Sequence, residues 1–203
     1  MPGDYLLICF GGNDQKNNTD RGTPIAEYQE YFRTIIEMAL AKGAHPIVVS
    51  PSARANLWND ETASDTVYAP LQDYRDAGKA VADEYGIPYI PFGEKMKEMY
   101  SNFESDGYST NIRNFLFLHT TPDDVRFVDN ENYATSKYNN EEDSSHFNVL
   151  GSYWFTNNIA SYLKDIDGTL GAFIDSNKVL TMDELVDEIE TEYEQWLVDM
   201  ENI

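Results

Sequence analysis

The segment that most constrains this chain is an uninterrupted apolar run, Tyr5–Phe10, followed at once by Gly11-Gly12-Asn13-Asp14. An apolar run of this length predicts a strand that is buried on both faces, as strands of parallel sheets are. The two glycines allow a sharp turn and a close approach of the backbone to a ligand. We therefore expect Asn13 and Asp14 at the carboxyl end of the strand, where open α/β sheets have their binding crevice.

A strand that is buried on both faces also needs a neighbouring strand on each side. Only Met1–Asp4 precedes this one. We therefore expect the chain to begin in the middle of its own sheet, with one edge of Tyr5–Phe10 lacking its partner.

Strands and helices alternate along the rest of the chain, with short connections between each helix and the next strand. The first helix is expected to begin with a Thr23 cap and Pro24, and to end at Gly43. Further elements are predicted from apolar spacing: strands at Pro46–Ser50 and Ile87–Ile90, and helices at Leu71–Tyr85, Met96–Phe103 and after Asp143. This alternation predicts an α/β fold with a parallel sheet and helices on both faces.

The organisation beyond residue 103 is less regular. Residues 104–142 are rich in Asn, Asp, Ser and Tyr, as in a long functional loop. We predict one α/β domain over residues 1–166 and an acidic helical tail over 167–203. In the tail, Thr181 and Glu184 form a predicted capping box ahead of an amphipathic helix, which either folds onto its own domain or binds a partner.

Composition excludes some classes of partner. Acidic residues outnumber basic ones 36 to 14, for a net charge of −22, which argues against nucleic acid and anionic membranes. The single cysteine, Cys9, excludes an internal disulfide and is interpreted as a core residue, not a nucleophile. The sequence contains neither an apolar segment of about 20 residues nor a signal peptide.

A second motif, Asp143-x-x-His146, carries the candidate chemistry. Side chains three residues apart lie on one face of a helical turn, so Asp143 is able to orient one imidazole nitrogen while the other acts as a base. A helix N-cap is the structural alternative for Asp143. Together with Gly-Gly-Asn-Asp upstream, however, the Asp-x-x-His motif is more specific evidence for a catalytic triad than it is alone.

Together these residues resemble the SGNH (GDSL-type) hydrolases, and within them the rhamnogalacturonan acetylesterase branch of carbohydrate esterases. The family's Gly-x-Asn-Asp block is matched at Gly11–Asp14 and its Asp-x-x-His block at Asp143 and His146, and the resemblance covers Gly3 to about Ile166. It implies a three-layer, flavodoxin-like fold in which Tyr5–Phe10 is the third strand, so that the first two strands are missing.

The resemblance also assigns roles to individual residues. Asn13, in the block that Gly11 opens, is expected to donate to the oxyanion, His146 to act as general base and Asp143 to orient it. Asp14 is a candidate substrate contact, as are Arg54 and Trp58 beside Ser50 and Ser52, which we place at the rim of the crevice. The implied substrate is an acetylated polysaccharide, the implied location is extracellular, and no cofactor or metal is implied.

The chain departs from the family at the nucleophile. The family's Gly-Asp-Ser block does not occur in the 203 residues. Asp175-Ser176 lacks the preceding glycine, and Ser144 and Ser145 lie between the two triad members. We therefore predict an esterase fragment that is inactive alone and that either associates with itself or needs a missing amino-terminal segment.

Two other functions stay open at this point. The aromatic, Asn-rich segment Tyr108–Tyr138 suits a non-catalytic carbohydrate-binding or scaffold protein. The acidic tail suits an interaction module.

Overall fold

The computed structural model describes most, but not all, of the chain. The described residues are 1–16, 20–53, 71–102, 116, 146–147, 149–175 and 177–180, with 184, 187, 188, 191, 192, 194, 195 and 198 of the tail. The chain divides into two compact units, one formed by Met1–Ala53 with Leu57–Lys97 and one by Arg54–Asn56 with Glu98–Ile203. The boundary predicted at residue 166 stays a prediction.

The first unit is a parallel sheet connected by helices. Its strands are β1 (Tyr5–Ile8), β2 (His45–Val49) and β3 (Tyr89–Ile90), in the order β1-β2-β3. Leu6 is paired with Pro46, and Val48 with Tyr89, both in parallel register. The helices between the strands are α1 (Ile25–Ala41) and α2 (Leu71–Tyr85). A third helix, α3 (Phe92–Asn102), follows β3, and its residues up to Lys97 belong to this unit. The predicted α/β fold with a parallel sheet is confirmed.

The core of this unit lies between the sheet and the helices α1 and α2. Both helices bury an apolar stripe, and each is followed by a glycine in the left-handed region, Gly43 with φ +71° and Gly86 with φ +62°. In β2, the consecutive residues Ile47, Val48 and Val49 are all at most 2% exposed, so both faces of this strand are covered. The core cluster contains Ile8, Tyr28, Phe32, Ile36, Val48, Leu71, Tyr74, Ala77, Val81 and Ala82.

The predicted burial of the first strand is wrong. Of its four residues only Ile8 is buried, whereas Leu6 is 39% and Leu7 43% exposed. The physical reason is position: within the described residues β1 is paired with β2 alone and forms the edge of the sheet. Phe10, just beyond the strand, is 54% exposed.

The predicted cap of α1 is also wrong. Pro24 is the N-cap residue, and no side chain caps the helix. The backbone of Thr23 is used elsewhere, because its N–H donates to the Asp14 carbonyl at 2.9 Å and its carbonyl accepts from the Tyr74 hydroxyl at 2.6 Å.

The second unit contains α4 (Val149–Ile166) and α5 (Gly168–Gly171). Gly151 packs so closely on Leu116 that a Cβ atom there would lie 2.0 Å from the Leu116 carbonyl oxygen. Trp154 and Phe155 are buried, and the Phe147 ring lies 4.4 Å from that of Phe155.

The described residues that follow α5 form turns, a bend and helical turns of the tail. Residues 172–174 follow α5 as turns and a bend, so the segment before Asp175 is not a strand. The described tail residues are helical and exposed, whereas Thr181 and the predicted apolar stripe lie outside the described residues. Within the described part of the chain, no helix is both long enough and apolar enough to cross a membrane.

Candidate active site

The turn that follows β1 is held together by its own hydrogen bonds. The Gly11 N–H donates to Oδ2 of Asp14 at 3.0 Å, and the Lys16 N–H donates to the Asn13 carbonyl at 3.0 Å. Gln15, which is only 3% exposed, donates through its side chain to the Gly12 carbonyl at 3.2 Å. The backbone polar groups of this turn are therefore satisfied locally, which fixes its conformation.

Gly11 and Gly12 serve the turn in different ways. Gly11 is buried with φ +124°, and a Cβ atom on it would lie 2.9 Å from Cγ of Pro51. A Cβ atom on Gly12, which is exposed, would meet nothing within 4 Å. Gly11 is therefore required by the backbone conformation and by Pro51, and the open space beside this turn lies at Gly12.

Asn13 is the exposed polar side chain of the turn. Within the described residues its side-chain amide makes no hydrogen bond, and the carboxylate that satisfies the turn backbone is that of Asp14. An asparagine with only a structural role in a turn normally bonds to nearby backbone groups. The Asn13 amide is therefore exposed beyond the carboxyl end of a parallel strand.

Asp14 is half-buried and has a structural role in this turn. Its predicted contact with substrate stays a prediction. The Asp14 carbonyl also accepts hydrogen bonds from Thr23 N–H and from the Tyr74 hydroxyl.

A buried polar network lies beside the turn, at the carboxyl ends of β2 and β3. The Ser50 hydroxyl donates to Oε2 of Glu94 and accepts the Gly93 N–H at 2.8 Å. The other carboxylate oxygen of Glu94 accepts from the Tyr89 hydroxyl at 2.7 Å. Arg75, which is fully buried, donates from Nε to the Pro51 carbonyl at 3.1 Å.

This network corrects the predicted place of Ser50. The side chain is 1% exposed and does not lie at the rim of a crevice. It follows β2 directly and satisfies the first turn of α3. Because its hydroxyl is buried and its described partners are the Glu94 carboxylate and the Gly93 N–H, Ser50 lacks the surroundings of a nucleophile.

The tyrosine of the network stays protonated at neutral pH. Burial, followed by the hydrogen bond to Glu94, raises the pKa of Tyr89 far above its usual value of 10. Its hydroxyl therefore acts as a hydrogen-bond donor that orients the Glu94 carboxylate.

The predicted burial of Cys9 in the core is wrong, whereas the surroundings of its thiol agree with the prediction that it is not a nucleophile. The residue is exposed, not in the core, because β1 is the sheet edge. Its thiol lies 3.7 Å from the Ser50 carbonyl, and desolvation raises the pKa of the thiol. A thiol with a raised pKa is a poor nucleophile at neutral pH.

His146 is exposed and lies three residues ahead of α4, so it precedes the helix and does not open it. Its predicted partner Asp143, and the predicted sugar contacts Arg54 and Trp58, lie outside the described residues. The predicted meeting of His146 with Asn13 stays a prediction. Among the residues that the structure describes, no group of three or more His, Cys, Asp or Glu side chains is placed to hold a metal ion.

Sequence reasoning missed the residues that surround the turn. Their spacing in the sequence marks Tyr28 and Tyr74 only as apolar positions of helices, and Gly93 and Arg75 stand in no pattern that indicates their contacts. Pro51, a proline shortly after a strand, is the sequence feature that could have indicated a close contact with the backbone at Gly11.

Comparisons with known proteins agree with the resemblance drawn from the sequence. A family profile described as a GDSL-like lipase/acylhydrolase family matches residues 1–151. The chain is 31% identical over 165 residues to a protein of Bacillus subtilis (strain 168) named rhamnogalacturonan acetylesterase RhgT. This alignment covers 81% of this chain and 62% of the relative. It is 35% identical over 96 residues to the probable rhamnogalacturonan acetylesterase YesY of the same organism. This second alignment covers 46% of this chain and 42% of the relative.

A solved structure shows a similar fold. Protein YXIM_BACsu from Bacillus subtilis aligns with a TM-score of 0.50 and 21% identity, over 81% of this chain and 37% of that one. The chain thus spans less than two thirds of the length of each of these relatives.

Proposed function

The chain belongs to the GDSL-like lipase/acylhydrolase family, and we propose that it provides the oxyanion donor and the base of an esterase acting on acetylated rhamnogalacturonan-type polysaccharides outside the cell. The observation that carries the proposal is the exposed Asn13 amide, on a turn whose backbone is satisfied by Asp14, at the carboxyl end of β1. The names of the two curated relatives support the substrate class.

The proposed chemistry is acyl transfer through a serine. The hydroxyl of the serine attacks the acetyl carbonyl, and His146 takes its proton while Asp143 orients the imidazole. The Asn13 amide donates to the oxyanion of the tetrahedral intermediate. His146 then returns the proton to the sugar oxygen that leaves, and water hydrolyses the acetyl-serine to acetate by the same route.

The serine is proposed to come from residues outside this chain. Gly-Asp-Ser does not occur in the sequence, and Ser50, the serine that directly follows β2, is buried against Glu94. Arg54 and Trp58 are proposed to contact the sugar, together with Asp14.

Acetate release tests this function. The chain alone is expected to hydrolyse acetylated rhamnogalacturonan no faster than the uncatalysed reaction. We expect an in-frame Gly-Asp-Ser within about a hundred codons upstream of Met1, since the family's nucleophile block precedes Gly-x-Asn-Asp, and the protein extended to include it should release acetate.

Single substitutions in the extended protein assign the residues. Asn13→Ala should lower kcat by about 100- to 1000-fold, as loss of an oxyanion donor does elsewhere, and His146→Ala should abolish turnover. Asn177→Ala, at another exposed asparagine, is the matched control. Absence of the upstream Gly-Asp-Ser, or an Asn13→Ala variant as active as the control, would refute the proposal; binding of the polysaccharide without turnover would favour a carbohydrate-binding protein.

A further inference from the structure

Two buried tyrosines from different helices contact the turn that carries Asn13. Tyr28 of α1 is 2% exposed, and Tyr74 of α2 is 1% exposed. Their rings meet edge to face, with centroids 5.1 Å apart. Both hydroxyls leave the apolar core and reach backbone carbonyls of the segment between β1 and α1.

The carbonyls that they contact lie on either side of Asn13. The Tyr28 hydroxyl donates to the Phe10 carbonyl at 3.1 Å, where the chain leaves β1. The Tyr74 hydroxyl lies 3.0 Å from the Asp14 carbonyl and 2.6 Å from the Thr23 carbonyl, so its single hydrogen is shared between the end of the turn and the start of α1.

We infer that Tyr28 and Tyr74 are positioning residues that hold the Gly11–Asp14 turn, and with it the Asn13 amide, at the carboxyl end of β1. The catalytic meaning of this inference rests on the proposed function, in which Asn13 is the oxyanion donor. An oxyanion donor is effective only when its position is set before the reaction, because reorganising it during the reaction would cost part of the stabilisation.

The chemistry of the two hydroxyls suits this role. A phenylalanine would fill the same core space, so burial alone does not require the hydroxyl groups. Desolvation raises the pKa of Tyr28 and of Tyr74, and the charge of Asp14 adds to both shifts. Both groups therefore remain neutral donors throughout the pH range in which an esterase works.

Amide hydrogen exchange on the ¹⁵N-labelled chain tests the inference. In Tyr28→Phe and Tyr74→Phe, the Gly11 and Lys16 amides, which are bonded within the turn, should exchange about tenfold faster. The Val48 and Ser50 amides, which donate to Pro88 and Ile90 in the sheet, should change less than twofold. The Asn13 side-chain resonances should shift in both variants.

Tyr85→Phe is the matched control, because Tyr85 lies on the same helix as Tyr74 and its hydroxyl donates to Glu37 instead. It should leave the turn amides and the Asn13 resonances unchanged. Equal acceleration of turn and sheet amides would show that the tyrosines only stabilise the core, and unchanged turn amides would also overturn the inference. Since exchange does not depend on turnover, a failed acetate assay with the expected exchange would refute the proposed function alone.

Discussion

Pro51 lies directly against Gly11, so that the second residue after β2 contacts the residue that opens the turn after β1. The contact leaves no room for a side chain, since a Cβ atom on Gly11 would be 2.9 Å from Cγ and 3.3 Å from Cβ of Pro51. Pro51 is itself held by Arg75, whose Nε donates to its carbonyl. The ends of two neighbouring strands are in this way fixed relative to each other beside Asn13.

Replacing Gly11 should therefore destabilise the fold. Gly11→Ala combines a left-handed backbone, φ +124°, with the contact on Pro51, and we expect it to lower the free energy of unfolding by about 2 kcal/mol. Gly12→Ala is the matched control, because its Cβ meets nothing within 4 Å, and it should change that free energy by no more than about 0.5 kcal/mol. Urea denaturation compares the two variants, and equal effects would contradict the account.

Gly93 should tolerate substitution by alanine even less than Gly11 does. A Cβ atom there would lie 2.0 Å from the Pro51 carbonyl oxygen and 2.4 Å from Nε of Arg75. Gly93→Ala should cost about 3 kcal/mol or more, because buried backbone has to move. As control, Gly78→Ala in α2 makes only ordinary contacts, the nearest at 3.5 Å, and should be neutral or slightly stabilising. A Gly93→Ala variant that melts like the parent would show that the network is looser than described.

The edge of β1 should make the chain associate. Leu6 and Leu7 are exposed on a strand that pairs on one side only within the described residues, and such edges pair with other chains. Sedimentation velocity should show association that rises with concentration and falls in Leu7→Lys. Thr34→Lys, on the exposed surface of α1, controls for the change in charge. A monomer at every concentration would count against this prediction.

Tyr85 should make stability depend on pH in the alkaline range. The hydrogen bond to Glu37, followed by desolvation, raises the pKa of Tyr85 from 10.0 to about 12. Because the folded state binds this proton more tightly, the stabilisation is fully present below pH 10 and is lost as the pH rises to about 12.

Unfolding free energies of the parent and of Tyr85→Phe should therefore converge between pH 10 and pH 12. Tyr31→Phe, at an exposed tyrosine of α1, is the control. A difference that stays constant through this pH range would mean that the Tyr85–Glu37 bond does not form in solution.

Much of the fold follows from periodicity in the sequence. Tyr28, Phe32, Ile36 and Ala39 recur at helical spacing in the sequence and are buried in α1, and this helix ends before Gly43 as predicted. The burial of β1 could not be predicted in the same way, because apolar residues identify a strand but do not show whether a neighbour covers it. Leu7 is apolar and exposed for this reason.

The Gly-x-Asn-Asp block of the sequence identifies Asn13 as a candidate oxyanion donor, and this role stays a prediction. The residues that support its turn cannot be identified in the same way. Ser50 was misplaced, and Tyr28 and Tyr74 were overlooked as supports, because their contacts join residues 18 to 60 positions apart. Such contacts depend on how the helices pack against the sheet and against each other. The spacing of residues along one helix does not reveal this packing.

The proposed function requires that Asn13 and His146 serve the same acetyl carbonyl. If they serve one carbonyl, their side chains and that of Asp143 lie within about 10 Å of one another. A nitroxide on Asn13→Cys, in a Cys9→Ala background that removes the single native cysteine, reports this distance by broadening nearby ring signals. His45, at the amino end of β2 and so at the opposite end of the sheet, is the internal control. If both residues act on one carbonyl, the His146 ring signal is broadened beyond detection while that of His45 persists; a His146 signal as sharp as that of His45 would show that they do not.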